Sequence, residues 1–230
     1  MILNWGLRDS GLPDLVTREA IMYRSMLAGA ILAAAVTAIS AAGANAQQFT
    51  ANLKGVNEIG SIPTTVTITT LGVAAPTTYT GAVLTDGTGT ANLVLNKMAG
   101  TVTFTLTYSN VGTTPPQTGT VSQAHIHFGK SRDSGGILVF FCTNLPFSGT
   151  GPHPQVCPAN SGTVSGTWNK DNVQAIPLQN VAPGDFNALV TALESDTAYA
   201  NVHTVPHYAG GEIRGQVFPA QGQQGNQNQQ

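Results

Sequence analysis

Two of the five histidines stand in Gln123-Ala124-His125-Ile126-His127-Phe128-Gly129. Alternate residues of a β-strand share a face, so His125 and His127 present two imidazoles on one side, about 7 Å apart at Cα, with Ala124, Ile126 and Phe128 on the other. Imidazole suits copper and zinc, and two rings so placed hold one cation once a neighbouring strand adds a donor. The segment Tyr199-Ala200-Asn201-Val202-His203-Thr204 supplies one. Ala200 and Val202 suit a core, which leaves His203 on the opposite face with Asn201 and Tyr199. Along Glu212-Ile213-Arg214-Gly215-Gln216-Val217, Ile213 and Val217 face inward and Glu212, Arg214 and Gln216 outward. With these strands side by side, His125, His127 and His203 form a ligand set for copper or zinc, with Asn201, Glu212 and Arg214 behind the rings to orient them.

The competing reading of the same residues is structural: imidazoles bonded to Glu212, Arg214 and backbone groups lock the sheet together. In that reading Arg214 pairs with a nearby acid such as Glu212 or Asp133. His153, in Gly151-Pro152-His153-Pro154, reads as a solvated loop residue, and His207, in a turn close to His203, as a weaker fourth ligand.

Other chemistries lack their parts. Asp133-Ser134-Gly135-Gly136 resembles the nucleophile turn of chymotrypsin-like proteases, but His125 precedes Ser134 by only nine residues, whereas that site needs its residues on separate barrels with an Asp between. The two glycines are expected instead to turn the chain between the His-x-His strand and residues 137–141. No G-x-G-x-x-G or G-x-x-x-x-G-K-[ST] segment is present, so dinucleotide and phosphate-loop chemistry have no anchor. No residue is assigned a catalytic or organic-cofactor role. Only 9% of positions are charged, with 9 Lys or Arg against 11 Asp or Glu; a nucleic-acid binder would show a clustered basic surface instead.

The elements that must position the histidines are strands. Thr occupies 29 positions and Gly 26, which favours strands and turns over helices. Residues 101–108 alternate Thr with Val102, Phe104, Leu106 and Tyr108, the pattern of a half-buried strand. Residues 49–53, 66–70 and 91–95 repeat it, 137–141 form a continuous apolar run ending at Cys142, and 199–204 and 212–218 complete the set. Phe186, Leu189, Val190 and Leu193 instead recur at helical spacing behind Asp185, a helix start signal. Many short strands and one short helix predict an antiparallel sandwich.

Residues 26–44, MLAGAILAAAVTAISAAGA, follow Arg24 and run into Ala44-Asn45-Ala46. This is the order of a secretory signal peptide, with Gln47 as the first mature residue and Met22 or Met26 as the natural start. If uncleaved, the segment would be a membrane anchor. Cys142 and Cys157 both follow it, and in an oxidising compartment such a pair reads as a disulfide, contributing on the order of 3 kcal/mol. The Gln-rich stretch 219–230 lacks apolar side chains and is expected to be disordered. The predicted organisation is therefore an extension and signal peptide over 1–46, one domain over 47–218, and a tail.

From about Phe49 to Phe218 the chain resembles the CHRD (chordin-type) domain family. The residues that carry this are Ala124-His125-Ile126-His127 followed by Gly129, and Asn201-Val202-His203-Thr204 followed by Gly211-Glu212-Ile213-Arg214-Gly215-Gln216. The Cys142 and Cys157-Pro158 pair is similar to that of exported bacterial members. The resemblance implies an all-β, immunoglobulin-like sandwich related in shape to copper/zinc superoxide dismutase, with no established enzymatic activity. Dismutation would need a bridging histidine and further ligands, so it is not expected. In animal chordins such domains belong to a secreted antagonist of growth factors, but a shared fold does not transfer that role. The expectation is a secreted or periplasmic protein, a non-enzymatic binding or structural module for an unknown extracellular protein or envelope component, with a copper- or zinc-binding or redox-active domain built on the three histidines as the alternative.

Overall fold

The alternation over residues 101–108 becomes strand β5 (Thr101–Ser109) in the computed structural model, with Val102, Phe104, Leu106 and Tyr108 buried and Thr103 and Thr107 exposed. The structure describes residues 46–59, 61–68 and 73–220, with side chains placed outside 61–80. The expected signal peptide and the tail beyond Ala220 lie outside the described residues. The other strands are β1 (Ala46–Lys54), β2 (Ser61–Ile68), β3 (Val73–Thr80), β4 (Thr88–Asn96), β6 (Thr120–Phe128), β7 (Ile137–Thr143), β8 (Gly162–Trp168), β9 (Ala198–Val205), β10 (Ile213–Gln216) and β11 (Phe218–Pro219). The helix is α1 (Phe186–Glu194), where Asp185 Oδ1 accepts from the Ala188 N–H at 3.1 Å and Leu189, Ala192 and Leu193 are buried.

Strands β7-β6-β9-β10-β1-β4-β5-β8 form one antiparallel sheet in that order, β11 also pairs with β1, and β2 and β3 form a separate hairpin. The sheet curls until its outer strands, β7 and β8, nearly meet. Gln155 spans the remaining gap: its Nε2 donates to Phe141 O at 3.3 Å on one side and to Ser165 O at 3.0 Å on the other. Trp168 Nε1 on β8 donates to Phe140 O on β7 at 2.8 Å. The Cys142–Cys157 disulfide ties the loop carrying Gln155 to the end of β7. Among the described residues the expected all-β fold with one short helix is therefore present, as a sheet rolled almost shut around its core.

That core holds Phe49, Ala51, Leu53, Leu93, Leu106, Ala124, Ile126, Ala200, Val202 and Ile213, among others. The residues expected to face outward do point away from it, but Glu212 and Arg214 are nonetheless buried. Alternation tells which side of a sheet a residue takes, not whether a loop covers that side. Here the turn over residues 55–59 and the loops over 129–136 and 206–211 lie on the outer face. The chain expected as one strand over 212–218 is broken at Val217, whose N–H donates to Ala198 O at 2.9 Å and whose side chain is buried. Pro219, at the start of the stretch expected to be disordered, pairs with Phe49, and the Ala220 N–H donates to Gln48 O at 2.8 Å.

Candidate metal centre

Strand β6 lies between β7 and β9, and its register fixes what faces each histidine. His125 sits across from Phe140 on β7 and Asn201 on β9; His127 sits across from Ile137 and Tyr199; Gln123 sits across from His203. Irregularities in the β6–β7 pairing on either side of Ile126 let Phe140 and Ile137, three residues apart, both oppose histidines. The three imidazoles thus meet on the outer face of the sheet. Ring centroids are 4.5 Å apart for His125 and His127, 4.4 Å for His125 and His203, and 6.1 Å for His127 and His203. One ring nitrogen from each lies within 4.8 Å of the other two. All three residues are buried, with exposures of 1%, 9% and 5% for His125, His127 and His203.

Two backbone carbonyls determine which nitrogens carry hydrogen. His127 Nδ1 is 2.8 Å from Gly135 O, and His203 Nδ1 is 2.9 Å from Ala209 O. A carbonyl oxygen only accepts, so each Nδ1 is the N–H and each Nε2 holds a free lone pair. Both Nε2 atoms, and both ring nitrogens of His125, are buried with no hydrogen-bond partner. Buried polar atoms are nearly always paired, so four unpaired ones in a single cluster call for an explanation. Burial holds all three rings in the neutral form that ligates: His125 titrates well below its ordinary value, helped by His203 and His127, while His127 falls to about 3 and His203 to about 4.

Aromatic rings wall the cluster. Phe140 meets His125 edge-on at 5.2 Å, and Tyr199 stacks on His127 at 4.6 Å and 9°. The Arg214 guanidinium lies 3.4 Å from the centre of the Tyr199 ring, and Tyr199 Oη accepts from the Gly135 N–H at 3.2 Å. Gly135 therefore fixes both members of the stack. It has to be glycine, because a Cβ there would run into Phe128 O.

The family model for the CHRD domain matches residues 49–217. The chain belongs to the CHRD domain family. No curated protein and no solved structure matches it.

Within this CHRD domain the segments Asn201–Thr204 and Gly211–Gln216 do most of their bonding away from the imidazoles. Asn201 Nδ2 donates to Glu58 Oε2 at 2.6 Å and to Ile213 O at 3.0 Å. Glu212 accepts from Thr85 Oγ1, the Gly112 N–H and Thr204 Oγ1 at 2.7, 2.9 and 2.8 Å. Gly211, at φ +125°, leaves no room for a Cβ against Glu58 and Asn201. Arg214 donates to Lys130 O and Asp133 O, both at 2.9 Å, and so pins the loop that presents Gly135. Burial lowers Arg214 from its ordinary value, while Tyr199, Glu58 and Asp133 oppose that shift.

The ring hydrogen bonds of His127 and His203 thus go to Gly135 and Ala209, and Arg214 reaches His127 through Tyr199. A backbone carbonyl has no side-chain signature, which is why sequence reasoning passes over both; the only trace was the paired glycine in Asp133-Ser134-Gly135-Gly136. His153 is exposed in the disulfide loop with Nδ1 2.7 Å from Pro154 O, and His207 is exposed and does not join the three-histidine group.

Proposed function

We propose that this CHRD domain is an exported, non-enzymatic module that holds a single copper or zinc ion on His125, His127 and His203. The observation that carries the reading is the set of buried, unpartnered ring nitrogens drawn together from β6 and β9. Leaving such an atom unpaired costs about 1–3 kcal/mol, a cost that coordination removes. The residues fit an ion by type and burial. A bound ion would need each nitrogen at about 2.0–2.1 Å, so the rings would have to draw in slightly. Export is supported by the signal-like residues 26–44 and by the Cys142–Cys157 bridge.

A second reading, a metal-free structural or protein-binding module, draws on the Glu58–Asn201 and Glu212–Thr85–Thr204 bonds, which join β9 to the turns on the outer face without any ion. It leaves the unpaired imidazole nitrogens without a purpose. Elemental analysis of the purified protein, followed by titration with copper and zinc salts, tests the first reading. One ion per chain is expected. Absence of bound metal together with no uptake at micromolar concentrations would overturn it.

A further inference from the structure

The donor set has a property that bears on which ion it takes: every ligand is electrically neutral. Among the described residues no carboxylate or thiolate joins the three imidazoles. Glu212 is occupied by two hydroxyls and a backbone N–H, Glu58 bonds Asn201 and the Ile59 N–H, and both cysteines form the disulfide. The charged side chain that acts on His127 from outside the cluster is positive: Arg214 lies against Tyr199, which in turn lies against His127. Phe140 and Tyr199 make the surroundings aromatic, and the ligand nitrogens are inaccessible to water.

The cost of transferring an ion from water into such surroundings rises with the square of its charge, so a divalent ion is penalised about fourfold more than a monovalent one of similar size. Zinc sites with three histidines ordinarily complete their shell with water or substrate, for which a wet, open position is needed. A closed-shell monovalent ion is satisfied by three neutral donors and brings half the charge into the neighbourhood of Arg214.

Resting on the metal reading above, we propose that the His125–His127–His203 centre is selective for Cu(I) over Zn(II), binding the monovalent ion as a three-imidazole site. Arg214 acts here as a selectivity residue, adding repulsion that grows with the charge of the ion without touching it.

The test is a pair of competition titrations on the disulfide-intact protein: Cu(I) against a chromophoric Cu(I) chelator under anaerobic conditions with a non-thiol reductant, and Zn(II) against a zinc indicator. One Cu(I) per chain is expected, bound more tightly than Zn(II). Arg214→Gln, if folded by circular dichroism, is expected to narrow that difference by raising Zn(II) affinity. Zn(II) binding as tight as Cu(I) in the unsubstituted protein overturns the selectivity while leaving the metal centre standing. Failure of both ions to bind overturns the centre itself.

Discussion

Among the described residues His125 is the one with two buried side-chain polar atoms lacking a partner, since neither ring nitrogen is hydrogen-bonded. Replacing a buried unpaired polar group by an apolar one of similar shape is neutral or stabilising. His125→Leu is therefore expected to keep or raise the melting temperature of metal-free protein, by up to about 1 kcal/mol of stability, while abolishing metal uptake. A clear drop in melting temperature with unchanged uptake would favour the structural reading. The same burial predicts a pH dependence for metal-free protein. Each imidazole titrates near 6.5 when unfolded but at about 3 for His127 and about 4 for His203 when folded. Between those values the unfolded chain binds more protons, so stability is fully present above pH 6.5 and is lost as pH falls towards 4. The slope is about 1.4 kcal/mol per pH unit for each histidine that shifts. Denaturant melts at pH 7, 5.5 and 4.5 would show it, and a flat profile would contradict neutral buried rings.

At the scale of elements, the loop over residues 129–136 matters as much as the strands it joins. Gly135→Ala drives a methyl group towards Phe128 O and displaces the carbonyl that orients His127. It is expected to lower stability by about 1–3 kcal/mol and metal affinity about 10–100-fold, read by thermal melts and competition titration on the same sample. Strands were legible in the sequence because alternation records which side faces the core: β5, β4, β6 and β9 follow it, and α1 follows its own period behind Asp185. The meeting of His125, His127 and His203 was legible as well, once β6 and β9 were taken as neighbours. The loops that cover them were not, since a loop lying over a polar sheet face adds no periodic signal. The work of Asn201 and Glu212 was hidden for a related reason: Glu58, Thr85 and Gly112 lie 143, 127 and 100 residues away from them, and nothing local marks the pairing.

For the whole molecule the decisive contact is the seam between β7 and β8. Their edges are joined through Gln155, Trp168 and the disulfide loop rather than by a full ladder. The bridge closes a loop of 15 residues in sequence separation, so Cys142→Ser with Cys157→Ser is expected to cost about 3 kcal/mol, measured by chemical denaturation. Unreduced protein should weigh two hydrogens less than the dithiol form; an unchanged mass on reduction would contradict the bridge. Strand edges left open invite pairing with other chains. Reduction would free the loop that carries Gln155 and leave Trp168 as the remaining direct tie between the two rims, so self-association along them, read by light scattering of reduced against unreduced protein, is the expected consequence.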